Sequence, residues 1–201
     1  MPLLIIMIKI FYCTSDSATV PSDVSEYRKN KILSVSNPKE KLNAIRSALV
    51  LKAGFASYGI DEKTVEYVIG EHGKPHSANY PKIHFSLSHT DNIAICAFFD
   101  DEIGIDCENT IRNINIKTLN RFFSDSECSA HNTSPLLLWV SKEAIVKQSG
   151  KGFANGRHTH HVPPFDDEIT VDGLWLKRLE ISGALTVICT ASRDDISITM
   201  I

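Results

Sequence analysis

The sequence predicts an α+β fold of two pseudo-symmetric halves, each a small antiparallel sheet packed on a long helix. Three observations lead there. Strand-like and helix-like stretches run in the order strand, helices, strands, helices, strands, the pattern of an α+β chain. Each half sets one long helical stretch among its strands, with the seam near Asp100–Glu102. At 201 residues, 43% hydrophobic and 22% charged, the chain has enough apolar material to fill a core without disulfide staples. The halves are expected at 1–100 and 101–201.

Residues 7–13, MIKIFYC, read as a buried first strand. Residues 23–58 read as helical with a break at Asn37-Pro38, because Pro is tolerated in the first turn of a new helix. Leu42, Ile45, Leu49 and Ala53 then recur at helical spacing, and Gly59 is a stop. VEYVIGEHGKPHS and IHFSLSHTDNIAICAFFD read as strands around a loop holding Gly73, Lys74 and Pro75. EIGIDCE follows a turn at Asp100-Asp101. Residues 114–130 look helical. SPLLLWVSKEAIVKQSG is the clearer helix, with Ser134 as N-cap, Pro135 as first helical residue and Gly150 as terminator. The polar stretch GKGFANGRHTHHVPPFDD is a loop, and EITVDG, LWLKRLEI, ALTVICTA and ISITMI are closing strands.

The net charge of −3 argues against broad phosphate-backbone binding as the main task. None of the five cysteines sits in a C-x-x-C pair, so they read as small buried hydrophobes in a reducing compartment. MPLLIIMIKIFYC lacks a basic flank and a cleavage site, and Lys9 interrupts its apolar run. It is too short to span a bilayer and reads as a strand with an extended start before Met7. A cytoplasmic protein is expected.

Four motifs carry chemistry. In GIDCEN, strand alternation puts Ile103, Ile105 and Cys107 on one face and Gly104, Asp106 and Glu108 on the other. Two carboxylates so placed repel, and a hard dication such as Mg²⁺ would relieve them; the bland alternative is a solvated acidic face. In WVSKEAIVKQSGKG, Glu143 and Lys147 share a helix face, as metal and phosphate partners or as an ordinary surface pair. In HFSLSHT, Ser88 and His89 point to opposite faces of a strand, which speaks against a direct Ser–His relay and leaves them as phosphate contacts or a polar strand end. GKP sets Lys74 on a turn beside Pro75, without the pattern of a phosphate-binding P-loop. RHTHH, 157–161, reads as a solvated loop, and RKNK, 28–31, as a solvated helix end or a patch for an anion.

The order of these pieces, GKP, FSLSHT, IGIDCE, FFSDSE and WVSKEAIVKQSGKG, resembles the 4′-phosphopantetheinyl transferases of the surfactin-synthetase-activating (Sfp) type over residues 73–152. The resemblance implies transfer of 4′-phosphopantetheine from coenzyme A to a serine of an apo acyl or peptidyl carrier protein, releasing adenosine 3′,5′-bisphosphate. It implies a monomer with coenzyme A in the cleft between the halves, Mg²⁺ (or Mn²⁺) as cofactor, and neither nucleic acid nor membrane as partner. By the same resemblance Asp106, Glu108 and Glu143 are metal ligands in the second half. Lys74, Pro75, Ser88, His89 and Lys147 are coenzyme contacts, and Glu143, Lys147 and Glu127 are catalytic. The family's N-terminal-helix arginine for the 3′-phosphate is replaced by Asn43, with Arg46 or Arg28–Lys31 as substitutes, and Cys107 stands where a larger aliphatic residue is usual. The serine's proton goes to Glu143, Glu127 or a metal-bound water; a carboxylate beside a dication is a weak base, which favours the latter two. The alternatives are a non-catalytic coenzyme A or carrier-protein binding module and, behind it, a metal-dependent phosphohydrolase or nuclease.

Overall fold

The computed structural model describes residues 7–152 and 160–201. The chain runs β1 (Met7–Cys13), α1 (Glu26–Ser34), α2 (Pro38–Ala56), β2 (Tyr67–Ile69), β3 (Pro75–Ser77), β4 (His84–Thr90), β5 (Ile93–Phe99) and β6 (Ile103–Asn109). It continues through α3 (Ile116–Leu119), α4 (Asp125–Ala130), α5 (Pro135–Ser149), β7 (Glu168–Val171), β8 (Leu174–Ile181), β9 (Ala184–Thr190) and β10 (Asp195–Met200). One four-stranded sheet has the order β10-β1-β5-β4, another β6-β9-β8-β7, and β2 and β3 form a hairpin.

The apolar runs of β5 and β9 have both faces covered, which is why neither alternates with polar residues. Ile93, Ile95, Ala97 and Phe99 of β5 meet Ile103 and Ile105 of β6 and Ile188 of β9 in a shared inner layer. On β5's other face, Cys96 and Phe98 pack with Val50, Leu51 and Phe55 of α2. On β9's other face, Leu185, Val187 and Cys189 pack with Leu137, Leu138 and Ala144 of α5. The result is a helix–sheet–sheet–helix stack. Each large apolar side chain fully buried in the inner layer contributes roughly 1.5–3 kcal/mol, so the two sheets are welded face to face.

Two glycines set the helix-to-sheet distances. A Cβ on Gly54 would lie 1.8 Å from the Phe98 ring, and one on Gly104 would lie 1.9 Å from the Ala144 carbonyl oxygen and 2.5 Å from the Gln148 amide nitrogen. The Gly104 contact is with the α5 backbone, so no side-chain rotation can relieve it.

The strand edges β4 and β6 face each other across the seam. Ser86 Oγ accepts from the Ile105 N–H at 3.0 Å and Ser88 Oγ from the Cys107 N–H at 3.3 Å. Alternate serines thus satisfy a β6 edge that no strand among the described residues covers.

The structure departs from the expected organisation in three places. β10 pairs in parallel with β1, so the first sheet is mixed and takes one strand from the second half. The expected helix over 114–130 is two short ones, because Ser124 and Glu127 form a capping box that starts α4 afresh. The expected extended start before Met7 and most of the 157–161 histidine run lie outside the described residues. All five cysteines are buried free thiols. Among the described residues, no helix is long and apolar enough to cross a membrane.

Gly104→Ala is expected to destabilise the protein by about 3 kcal/mol or more in urea unfolding, through overpacking against backbone. Gly59→Ala, at φ +72° with no atom within 4 Å of the added Cβ, should lose only about 1 kcal/mol, the intrinsic left-handed penalty.

Candidate active site

The close approach at Gly104 lays α5 along β6, and the site follows from it. Asp106, two residues on and 6% exposed, faces the helix. Its Oδ1 accepts from Lys147 Nζ at 2.7 Å and from Ser88 Oγ at 2.7 Å. Lys147 also donates to Ser88 Oγ at 3.0 Å. Three elements, β4, β6 and α5, therefore meet at one carboxylate oxygen. Glu108 continues the same face of β6 and pairs with Arg112.

Glu143 sits one helical turn before Lys147. Burial pushes its carboxyl pKa up to about 7, and the Asp106 charge adds to the push against opposition from Lys147 and Arg112. Asp106, Glu108, Glu143 and Lys147 line one cavity of about 260 Å³, together with Trp139 and His89. An adjoining cavity of about 360 Å³ shares Glu143, Lys147 and Leu87 and extends to Gly73, Lys74 and Pro75. On the other side of Leu87 and His89, a third pocket of about 130 Å³ opens onto Arg28, Lys31 and Ser47. The three form one track along β4.

The donor chemistry of the first cavity suits a hard dication: three carboxylates, one with a raised pKa that added positive charge would relieve. Among the described residues no three His, Cys, Asp or Glu side chains are already gathered closely enough to hold a metal ion. Lys147 and Arg112 instead neutralise Asp106 and Glu108. Those pairs use Asp106 Oδ1 and Glu108 Oε1, so a dication would share each acid with its cation or displace it.

Two residues singled out in the sequence are committed elsewhere. Lys74 Nζ bonds Glu102 at 2.6 Å, the Gln148 carbonyl at 3.1 Å and the Ile103 carbonyl at 3.2 Å. Its amine ties the C-terminal end of α5 to the seam, and Lys74 also lines the track. Glu127 is 2% exposed and lines none of the three pockets. It pairs with Lys142 at 2.5 Å, accepts the Val162 N–H at 3.0 Å and caps α4 through Ser124. Burial works to raise its pKa, but Lys142, Val162 and Ser124 together hold it below the ordinary range. Pro75, Ser88 and His89 do border the track.

Arg46 is also spent: it is 1% exposed and donates to Asp16, Asn43 and the carbonyls of Ser15 and Asp91. Arg28, read in the sequence within a basic run, is 3% exposed, and its Nε and Nη2 have no hydrogen-bond partner among the described residues. The signal was the spacing: Arg28 and Lys31 lie three apart, on one face of a helix that Ser25 caps. Arg112 as the partner of Glu108 carried no sequence signal beyond its distance of four residues.

Residues 102–187 match the model of the 4′-phosphopantetheinyl transferase superfamily. The chain is 36% identical over 105 residues to 4′-phosphopantetheinyl transferase Sfp of Bacillus subtilis (strain 168), covering 48% of this chain and 46% of that protein. It is 32% identical over 118 residues to a second Bacillus subtilis 4′-phosphopantetheinyl transferase, covering 55% and 52%. It is 29% identical over 171 residues to the Bacillus subtilis transferase ffp, covering 72% and 71%. The chain thus spans about half the length of the first two relatives. The family match takes in Asp106, Glu108, Glu127, Glu143 and Lys147 but stops short of Arg28, Lys74 and Ser88.

With its pKa raised from 4.5 to about 7, Glu143 contributes stability that is complete below about 4.5 and is lost as pH rises through about 7. In a chelator, Glu143→Gln should therefore remove that pH dependence, and the variant should melt above the wild type at pH 8 by calorimetry.

Proposed function

From the premise that residues 102–187 belong to the 4′-phosphopantetheinyl transferase superfamily and that the relatives are of the Sfp type, we propose that the protein moves 4′-phosphopantetheine from coenzyme A to a serine of an apo acyl or peptidyl carrier protein. The observation that carries the reading is the track along β4. It begins at three acids and a lysine and ends at a buried arginine without a hydrogen-bond partner at two of its nitrogens. Such a track suits a substrate with a diphosphate in the middle and a further phosphate at one end.

In this reading the 3′-phosphate of coenzyme A takes the Arg28–Lys31 pocket, and Asn43 has no part in holding it. The diphosphate lies beside Lys147, whose ammonium offsets charge on the transferred and leaving oxygens. Asp106, Glu108 and Glu143 would hold Mg²⁺ or Mn²⁺, which when bound withdraws charge from the diphosphate and orients the leaving group. The carrier serine oxygen forms a bond to phosphorus as the bond to the adenosine 3′,5′-bisphosphate breaks, and the serine proton passes to an acceptor. Of the two protein acids weighed for that role, Glu143 lines the cavity and Glu127 does not. Glu127 serves instead as a buried anchor for α4, α5 and the chain at Val162. The protein acts as a monomer in the cytoplasm, a reading that the five unbridged cysteines suit.

Mass spectrometry of an apo carrier protein incubated with coenzyme A and Mg²⁺ tests the reading: a gain of one phosphopantetheine group is expected. Asp106→Ala should fold and lose at least about a hundredfold in turnover, given several kcal/mol of transition-state stabilisation from the ion it would hold. Near-normal turnover in that variant would overturn the metal assignment.

Glu127→Gln gives a separate readout. Breaking its buried pair with Lys142 should lower stability by about 3 kcal/mol, while the folded fraction keeps turnover within a few-fold. A large fall in kcat at full stability would instead make Glu127 the base.

A further inference from the structure

Arg28 is held by a structure of its own. Its guanidinium carbon lies 4.5 Å from the centre of the Tyr67 ring and 5.4 Å from that of Tyr27, and the two rings stack with centroids 5.1 Å apart. The Tyr67 hydroxyl donates to Glu62 Oε1 at 2.7 Å. Glu62 is 1% exposed and has further duties: it accepts the Ser25 N–H at 2.6 Å and the Ser25 hydroxyl at 2.8 Å. Ser25 is the N-cap of α1, the helix that carries Arg28 and Lys31. One buried carboxylate thus ties down both the start of that helix and the ring beneath its arginine.

The charge balance is unusual. Glu62 is consumed by Ser25 and Tyr67, while Arg28 Nε and Nη2 are left without hydrogen bonds among the described residues. A buried guanidinium stripped of water and left short of acceptors is costly. An aromatic face holds the cation in place, with a hydrogen bond between Tyr67 and Arg28 beside it, and leaves Nε and Nη2 without an acceptor among the described residues. A carboxylate in the same position would have occupied those two donors. Burial, opposed by Arg28 and reinforced by Glu62, pushes the Tyr67 phenol well above its usual range, so it remains a donor to Glu62.

We propose that Tyr67 and Glu62 are positioning residues that fix the Arg28 guanidinium at the end of the track for a phosphate monoester, and so make the protein select coenzyme A over its 3′-dephospho form. The inference rests on the coenzyme A reading above. It assigns a role to the β2–β3 hairpin and to a 3-10 turn at Glu62–Thr64, both outside the family match.

Titration calorimetry and steady-state kinetics with coenzyme A and with 3′-dephospho-coenzyme A test it. The wild type should bind coenzyme A at least tenfold more tightly. Tyr67→Leu, which removes the ring, should raise the Kd and KM for coenzyme A about tenfold, the range of a desolvated cation–π contact, and move those for the dephospho form less than twofold. Tyr67→Phe, which keeps the ring, should restore most of the discrimination. Glu62→Gln provides the same comparison should Tyr67→Leu fail to fold, and an unchanged coenzyme A to dephospho-coenzyme A ratio there would overturn the proposal. So would equal losses for both ligands in Tyr67→Leu, or a wild type that does not discriminate. A wild type that binds neither ligand would instead remove the coenzyme A reading itself.

Discussion

The absence of a side chain at Gly104 is the constraint on which the site depends. It lets the backbone of α5 descend onto β6, and that descent brings Lys147 within 2.7 Å of Asp106 and buries Glu143 beside it. Raising the helix by the thickness of a methyl group would open the Lys147–Asp106 contact and let water in around Glu143. The raised pKa of Glu143 and the commitment of Lys74 to the end of the same helix both follow from this packing distance.

A second constraint acts across the seam. β4 and β6 are strand edges that do not pair through their backbones; Ser86 and Ser88 bridge them instead. A continuous ladder would have closed the gap, whereas hydroxyl bridges leave space along β4 for three connected pockets. Ser88 serves both purposes, accepting from a backbone N–H and donating to Asp106. The inner apolar layer holds the sheets together, so the seam can stay polar without weakening the fold.

Most elements and the acidic face were legible in the chain. The alternation of Ile103, Ile105 and Cys107 with Gly104 and Asp106 was plain from strand periodicity, and Asn37, Pro38, Pro135 and Gly150 marked helix ends as their chemistry requires. What escaped were properties of distance. No local pattern shows that Lys74 reaches carbonyls of two elements, or that Glu127 pairs with Lys142. Arg28 read as a solvated helix end or as part of a patch for an anion; a run of basic residues carries no sign of burial, and Tyr67, far along the chain, lies against it. The parallel pairing of β10 was invisible for the same reason: strand propensity does not name a partner.

That pairing shapes how the protein must come into being. β1 lies between β5 and β10, and β10 is drawn from residues 195–200. β10 follows every other described strand in the sequence, so during synthesis one edge of β1 stays bare until β10 has left the ribosome. Contacts between segments so far apart in sequence form slowly because of the loop they close. An incomplete chain offers that bare edge to any other extended segment nearby.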